Sequence, residues 1–178
     1  MTTRRVIAYD STLRDGAQAQ GVSFSVEDKL KVVQRLDQLG IGYIEAGNPG
    51  SNPKDLEFFA RVSALNLQHA KIIAFGSTRR IGIRAEEDKN LQSLLSANTQ
   101  AVAIFGKSWD YQVTEILRTT LDENLAMIAD TIAYLKAQGK EVVFDAEHFY
   151  DGYKANADYA LRSLQAAAEA GADVLALC

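Results

Sequence analysis

Short apolar runs alternate with longer amphipathic stretches along the chain. The runs are Val6 to Tyr9, Tyr43 to Ala46, Lys71 to Phe75, Ala101 to Phe105, Glu141 to Phe144 and Asp173 to Leu177. They are brief and nearly continuous in hydrophobicity, as strands buried on both faces should be. Their spacing of roughly 30 to 40 residues is the length of one strand–helix–strand step.

The stretches between them carry helix start and stop signals. Ser25 followed by Asp28 predicts a capping box opening "SVEDKLKVVQRLDQLG". Leu30, Val33, Leu36 and Leu39 make one apolar stripe there, and Gly40 suits the position just past the last turn. Asn52 and Pro53 predict an N-cap and a first helical residue. Thr120 with Glu123 opens a helix carrying Leu125, Ile128, Ile132 and Leu135, ended by Gly139, and Asn156 caps a further one closed by Gly171. The order is strand–helix repeated five times, then a sixth strand, which implies a parallel sheet with right-handed crossovers. Two architectures fit: a doubly wound six-stranded sheet, or six strands and five helices of a TIM (β/α)8 barrel, which typically needs about 250 residues. The chain stops at "GADVLALC", on an apolar run with no polar exit, and so reads as a chain cut in mid-fold.

Composition narrows the function classes. The formal charge of −4 over 178 residues, with no basic stripe, speaks against a nucleic-acid partner. The one basic cluster, Arg79, Arg80 and Arg84, reads as solvated surface, with an anionic ligand as the alternative. Cys178 is the only cysteine, so an internal disulfide is excluded and a reducing compartment is expected. "MTTRRVIAYD" lacks the apolar run of a signal peptide, and no stretch approaches the roughly 20 apolar residues of a membrane span. The expectation is a soluble cytoplasmic protein without a membrane partner.

Candidate chemistry collects where strands end. No G-x-G-x-x-G follows the first run, "FGKS" at 105 to 108 lacks the upstream glycine of a phosphate loop, and no G-x-S-x-G is present. Instead Asp10, Thr12, Arg14, Asp15 and Gln18 follow the first run, Glu45 and Asn48 the second, Ser77 to Arg79 the third, Lys107 the fourth, and Asp145, Glu147 and His148 the fifth. Polar groups drawn from the ends of several strands suit a barrel active site. In "LRDG", Asp15 is a hard oxygen ligand for a divalent cation, Arg14 is a fork of donors for a carboxylate or enolate oxygen, and Gly16 permits a sharp turn. A surface Arg–Asp contact at a turn is the plainer reading of the same residues. In "FDAEHFYDG", alternation puts Asp145 and Glu147 on one face. Glu147 suits proton transfer or the orienting of a base, with an ordinary loop acid as the alternative. His148 faces the other way and reads as structural; His69 reads as exposed. The two histidines are too far apart in sequence to make a metal cluster.

"YDSTLRDGAQAQG" resembles the first-strand signature of the DRE-TIM metallolyases, which include isopropylmalate, homocitrate and citramalate synthases and the hydroxymethylglutaryl-CoA lyases. "YIEAGNPGSNPKDLEFF", "AFGSTRR", "IFGKSWDYQVTEILRTTLDENL" and "FDAEHFYDGYKAN" resemble the long-form citramalate synthase subgroup. The resemblance runs from residue 4 to the end. It implies the N-terminal portion (1–178) of a TIM barrel, with later barrel strands and domains absent. The implied reaction is a metal-dependent condensation of acetyl-CoA with pyruvate to (R)-citramalate and CoA, on a route to isoleucine, in a parent that is a homodimer. Another 2-keto acid would make it an isopropylmalate or homocitrate synthase. The resemblance makes Asp15 a ligand of a divalent ion (Mg, Mn or Zn), Arg14 the stabiliser of the keto oxygen and Glu147 an active-site acid. Gln18, Glu45, Lys107 and Asp145 become substrate-binding candidates. The family's remaining metal ligands lie on later strands, so the 178 residues alone are expected to be inactive.

Overall fold

A computed structural model describes residues 6–51 and 53–178, so the expected Asn52 cap lies outside the described residues. The elements are β1 (Tyr9–Asp10), α1 (Val26–Gln38), β2 (Tyr43–Glu45), α2 (Pro53–Val62), β3 (Lys71–Ser77), α3 (Lys89–Ser96), β4 (Ala101–Lys107), α4 (Leu121–Ala137), β5 (Glu141–Glu147), α5 (Phe149–Ala155), α6 (Ala157–Glu169) and β6 (Val174–Leu177). Short turns of 3₁₀ helix lie at Gly16–Gln18 and Ala85–Glu87, and a π turn lies at Gln112–Leu117.

All five strand pairings are parallel and the strand order is β1-β2-β3-β4-β5-β6. That order rules out the doubly wound reading, which needs β1 inside the sheet. The sheet also curls. The Tyr43 hydroxyl of β2 donates to the Glu141 carboxylate of β5, and Lys71 of β3 pairs with the same carboxylate. β2 and β5 are three strand spacings apart, roughly 14 Å in a flat sheet, so side chains on one face meet only if that face is concave. The architecture is an incomplete (β/α)8 barrel.

Strand parity splits the core. Ile44, Ala74, Val102, Ile104, Val142, Phe144 and Ala146 point outward under the helices and join Phe58, Leu91, Leu94, Ile128 and Ile132 in the main core. Ile73, Ala101, Ala103 and Val143 point inward, with Tyr43, Phe75 and Ala176 packed on them. One register step further toward the strand ends, the inward rows turn polar: Ser77↔Phe105↔Asp145↔Ala176, then Lys107↔Glu147.

Helix caps follow local sequence. The Ser25 hydroxyl accepts from Asp28 N (3.1 Å) and the Asp28 carboxylate accepts from Ser25 N (3.0 Å). Thr120 accepts from Glu123 N (3.1 Å), Asn156 accepts from Tyr159 N (3.2 Å), and Gly40 takes φ +80° after α1.

Several expectations are corrected. The first strand begins at Tyr9: Val6 is 90% exposed and Ile7 is also exposed. β3, β4 and β5 run on to Ser77, Lys107 and Glu147 because their polar ends still make ladder pairs, so Lys107, Asp145 and Glu147 are strand residues and not loop residues. The five expected helical connections are present among the described residues, and the last of them is split into two helices. His148, at φ +52°, turns the chain into the short α5, and Asn156 restarts it as α6. The buried stripe of α1 is Lys29, Val33 and Asp37, while Leu39 is exposed. Lys29 is tolerated there because its ammonium binds Ala46 O (2.8 Å) and Asp55 Oδ1 (2.6 Å). Gly47, at φ +146°, lies directly over the Asp55 carboxylate, where a Cβ would collide with it. Arg79 is only 6% exposed; it is held by Glu123 (2.8 Å) and Asp130 (2.8 Å), so it belongs to the fold and not to a solvated loop.

Candidate active site

The loop after β1 is fixed by its own backbone. Ser11 O accepts from the N–H groups of Arg14 (3.1 Å), Asp15 (2.9 Å) and Gly16 (3.1 Å). The Asp10 carboxylate accepts from Thr12 N (3.0 Å) and Thr12 Oγ1 (3.1 Å), and Leu13 is buried in the main core. This tight turn leaves Arg14 and Asp15 at the carboxyl ends of the strands.

There they meet residues from β2, β3 and β5. The Arg14 Nε donates to Glu45, whose second oxygen accepts from the Tyr9 hydroxyl. Arg14 Nη1 donates to Asp15 Oδ1 (3.1 Å). The guanidinium carbon lies 3.9 Å from the centroid of the Phe75 ring, which stacks on Phe105 (5.4 Å, 20°). Arg14 is thus clamped by a buried carboxylate and an aromatic face, both of which favour a fixed planar cation. On the next inward row Lys107 forms an ion pair with Glu147.

A concavity of ≈ 760 Å³ gathers Arg14, Asp15, Gln18, Glu45, Asp145 and Glu147. Of the seven site residues expected from sequence, Lys107 alone does not line it and reaches the site through Glu147. His148 is exposed, with Nδ1 3.2 Å from Asp151, and His69 is exposed. Sequence reasoning missed Tyr9 and Phe75, which read as the last residues of apolar runs. The available signal was parity, since both share the inward face with Glu45 and Asp145.

The carboxylates differ in their surroundings. Burial pushes the Glu45 carboxyl up, against the opposing pull of the Tyr9 and Arg14 hydrogen bonds. Burial likewise raises Asp145, whose Oδ1 is buried and has no hydrogen-bond partner. Tyr9 is pushed far up, by burial first and then by Glu45. The Cys178 thiol is pushed up to about 12 by burial and by the adjoining Asp145. Asp15 is 64% exposed and offers oxygen to the concavity. Among the described residues, no three His, Cys, Asp or Glu side chains are grouped so as to hold a metal ion. Asp15 is therefore a lone candidate ligand, and the described residues do not by themselves complete a metal site.

The HMGL-like family model matches residues 5–178. The chain belongs to the HMGL-like family. That family is in general dependent on a divalent metal. The HMGL-like chain is 58% identical over 170 residues to the (R)-citramalate synthase of Synechocystis sp., covering 96% of the chain and 31% of the relative. It is 55% identical over 174 residues to that of Aquifex aeolicus, covering 98% and 33%. A homocitrate synthase of Methanopyrus kandleri is 34% identical over 168 residues, covering 94% and 39%. The chain thus spans about a third of the length of the curated relatives it matches. Among solved structures, the HMG-CoA lyase of Bacillus subtilis superposes with TM-score 0.75 at 16% identity, covering 98% of the chain and 58% of the lyase, which establishes the barrel fold for the HMGL-like chain. No helix of the described residues is long and apolar enough to cross a membrane.

Proposed function

We propose that the chain is the N-terminal part of the catalytic barrel of an (R)-citramalate synthase. This cytoplasmic acyltransferase joins acetyl-CoA and pyruvate to give (R)-citramalate and CoA, and works as a homodimer in its longer form. The observation that carries this reading is the Arg14 clamp. Two of its five N–H groups are spent on Glu45 and Asp15, and no described residue holds Nη2, so the fork is fixed in place with donors left for a ligand. A keto acid in the concavity would set its carbonyl against that fork. As the new carbon–carbon bond forms, the carbonyl pair moves onto oxygen and the fixed cation meets the growing charge without reorganising. Glu45 and Tyr9 keep the fork in place. Phe75 and Phe105 exclude water from its far side. Glu147, held by Lys107, assists proton transfer or orients its base, and Gln18 offers an amide to the keto acid. Asp15 would supply one oxygen to a coordination sphere that the described residues do not complete. The identities of 58% and 55% with curated synthases support pyruvate over the keto acid of the homocitrate synthase, at 34%.

The test is a chimera in which this chain replaces the matching third of the Synechocystis synthase. CoA release that requires pyruvate is the expected result. Release with a bulkier 2-keto acid and none with pyruvate would overturn the substrate, and a folded chimera releasing no CoA with any keto acid would overturn the reading. Residues 1–178 alone are expected to release none.

A further inference from the structure

Resting on the condensation proposed above, we infer that Tyr9 is a positioning residue: its hydroxyl caps the second oxygen of Glu45 and so keeps the Arg14 fork from closing onto that carboxylate, which leaves Nη2 for the keto acid. Two strands and the loop after β1 build this geometry. Tyr9 of β1 stands in register with Tyr43 of β2, and the two rings pack 6.0 Å apart. Glu45 lies two positions beyond Tyr43, on the same inward face and one row nearer the carboxyl ends. The Tyr9 hydroxyl reaches up to it and donates to Oε2, while Arg14 Nε donates to Oε1. Arg14 Nη1 turns the other way, to Asp15 Oδ1 (3.1 Å).

Arginine and a carboxylate left to themselves frequently pair fork on fork, through two parallel N–H···O bonds. The edge that would do so here carries Nε and Nη2, whose N–H bonds point the same way in the planar guanidinium. Nε makes its bond to Glu45, and Nη2 makes none among the described residues because the second oxygen is already taken by Tyr9. Glu45 is 3% exposed, so that oxygen has little water to turn to and needs a protein donor. Burial and the neighbouring Glu45 hold the Tyr9 pKa far above the ordinary phenol range, so the hydroxyl keeps its proton and acts as a fixed donor. It has no second partner among the described residues.

A second tyrosine–glutamate pair isolates what is particular to Tyr9. At the amino ends of the strands the Tyr43 hydroxyl donates to Glu141, whose other oxygen binds Lys71. The lysine ammonium is a point charge and has no planar fork to close on the carboxylate. The Tyr43 hydroxyl therefore only satisfies an acceptor. Donor and acceptor types are the same in both pairs, and only Glu45 faces a guanidinium that the hydroxyl must hold open.

The test places Y9F and Y43F separately in the chimera and measures turnover with pyruvate, urea unfolding and the crystal structure of each. Y9F is expected to lower kcat roughly 10²-fold, the lower end for losing one donor to a developing oxyanion. Its KM for acetyl-CoA should be unchanged, and its unfolding midpoint should stay at the parental value because Arg14 Nη2 takes over the freed oxygen. Its crystal structure should show Nε and Nη2 both within hydrogen-bond distance of Glu45. Y43F should show the reverse, a lower midpoint with kcat unchanged. Parental kcat in Y9F overturns the inference, and so does a Y9F structure in which Nη2 stays off Glu45. A midpoint in Y9F lowered as far as in Y43F would make Tyr9 a structural partner only and overturns it too. A parent chimera that releases no CoA counts instead against the synthase reading, and the Y9F crystal structure then decides the inference by itself.

Discussion

The two ends of the curled sheet use buried charge in opposite ways. At the amino ends of the strands three described carboxylates, from buried Asp37 to exposed Asp173, are satisfied. Asp37 accepts from the backbone N–H groups of Gln68 (2.9 Å), His69 (2.8 Å) and Ala70 (2.8 Å), which pins the segment entering β3. Asp173 accepts from Val142 N (2.7 Å) and Lys136 (2.7 Å), joining β6 to β5 and α4. Glu141 binds Tyr43 and Lys71 across the concave face. At the carboxyl ends, Arg14 keeps donors open, Asp15 faces solvent and Asp145 keeps a buried oxygen unpaired. The protonation equilibria follow. Burial works against the charge of Asp37, yet its backbone donors win and lower its pKa; burial of Asp145 outweighs the single Cys178 thiol hydrogen bond and the pull of Arg14, and raises it. The same side chain is therefore structural at one end of the barrel and poised for a ligand at the other, and what separates them is the supply of N–H groups.

The comparison can be broken by substitution. Arg14→Ala in the active chimera should show the largest effect, a loss of about 10²–10³ in kcat, the scale of one donor to a developing oxyanion; unchanged turnover would remove Arg14 from the mechanism. Asp37→Ala should leave residual catalysis intact but cost about 1–2 kcal/mol in urea unfolding, since three part-buried donors lose a charged acceptor; a midpoint equal to the parent's would show that those N–H groups are satisfied otherwise.

pH sharpens the contrast. Asp37, lowered below its unfolded value of 3.8, contributes stability that is present above that value and lost as pH falls through its folded pKa. Asp145, raised above 3.8, contributes in the opposite sense: its share is full below 3.8 and lost as pH rises through its folded pKa. Melting curves should therefore show Asp37→Ala lowering Tm most at neutral pH and least in acid, and Asp145→Asn raising Tm at neutral pH with little change in acid. A reversed pattern would invert the assignment of the two environments. The smallest effect belongs to Arg162→Ala. Its pair with Asp122 (3.2 Å) is 46% and 89% exposed, so melting and turnover should not move measurably.

Strand positions and helix starts were legible in the sequence because each rests on a local period or a cap within three residues, as with Ser25 and Asp28, Thr120 and Glu123, and Asn156 and Tyr159. The motif "LRDG" and the alternation of Asp145 with Glu147 marked the candidate site for the same reason. The local period left barrel and doubly wound sheet both open, and the strand order decided between them. Other features rest on pairs distant in sequence. Tyr9 and Arg14 meet Glu45 across 36 and 31 positions, and Lys107 meets Glu147 across 40. Arg79 finds Glu123 across 44, which turned an expected surface arginine into a buried strut. Asp145 and Glu147 look alike on paper; only the register with β4 sets Phe105 beside one and Lys107 beside the other. Local chemistry determined which residues form each strand and helix, whereas sheet register and curl decided which charges found partners, because partner supply depends on neighbouring strands that the local sequence does not encode.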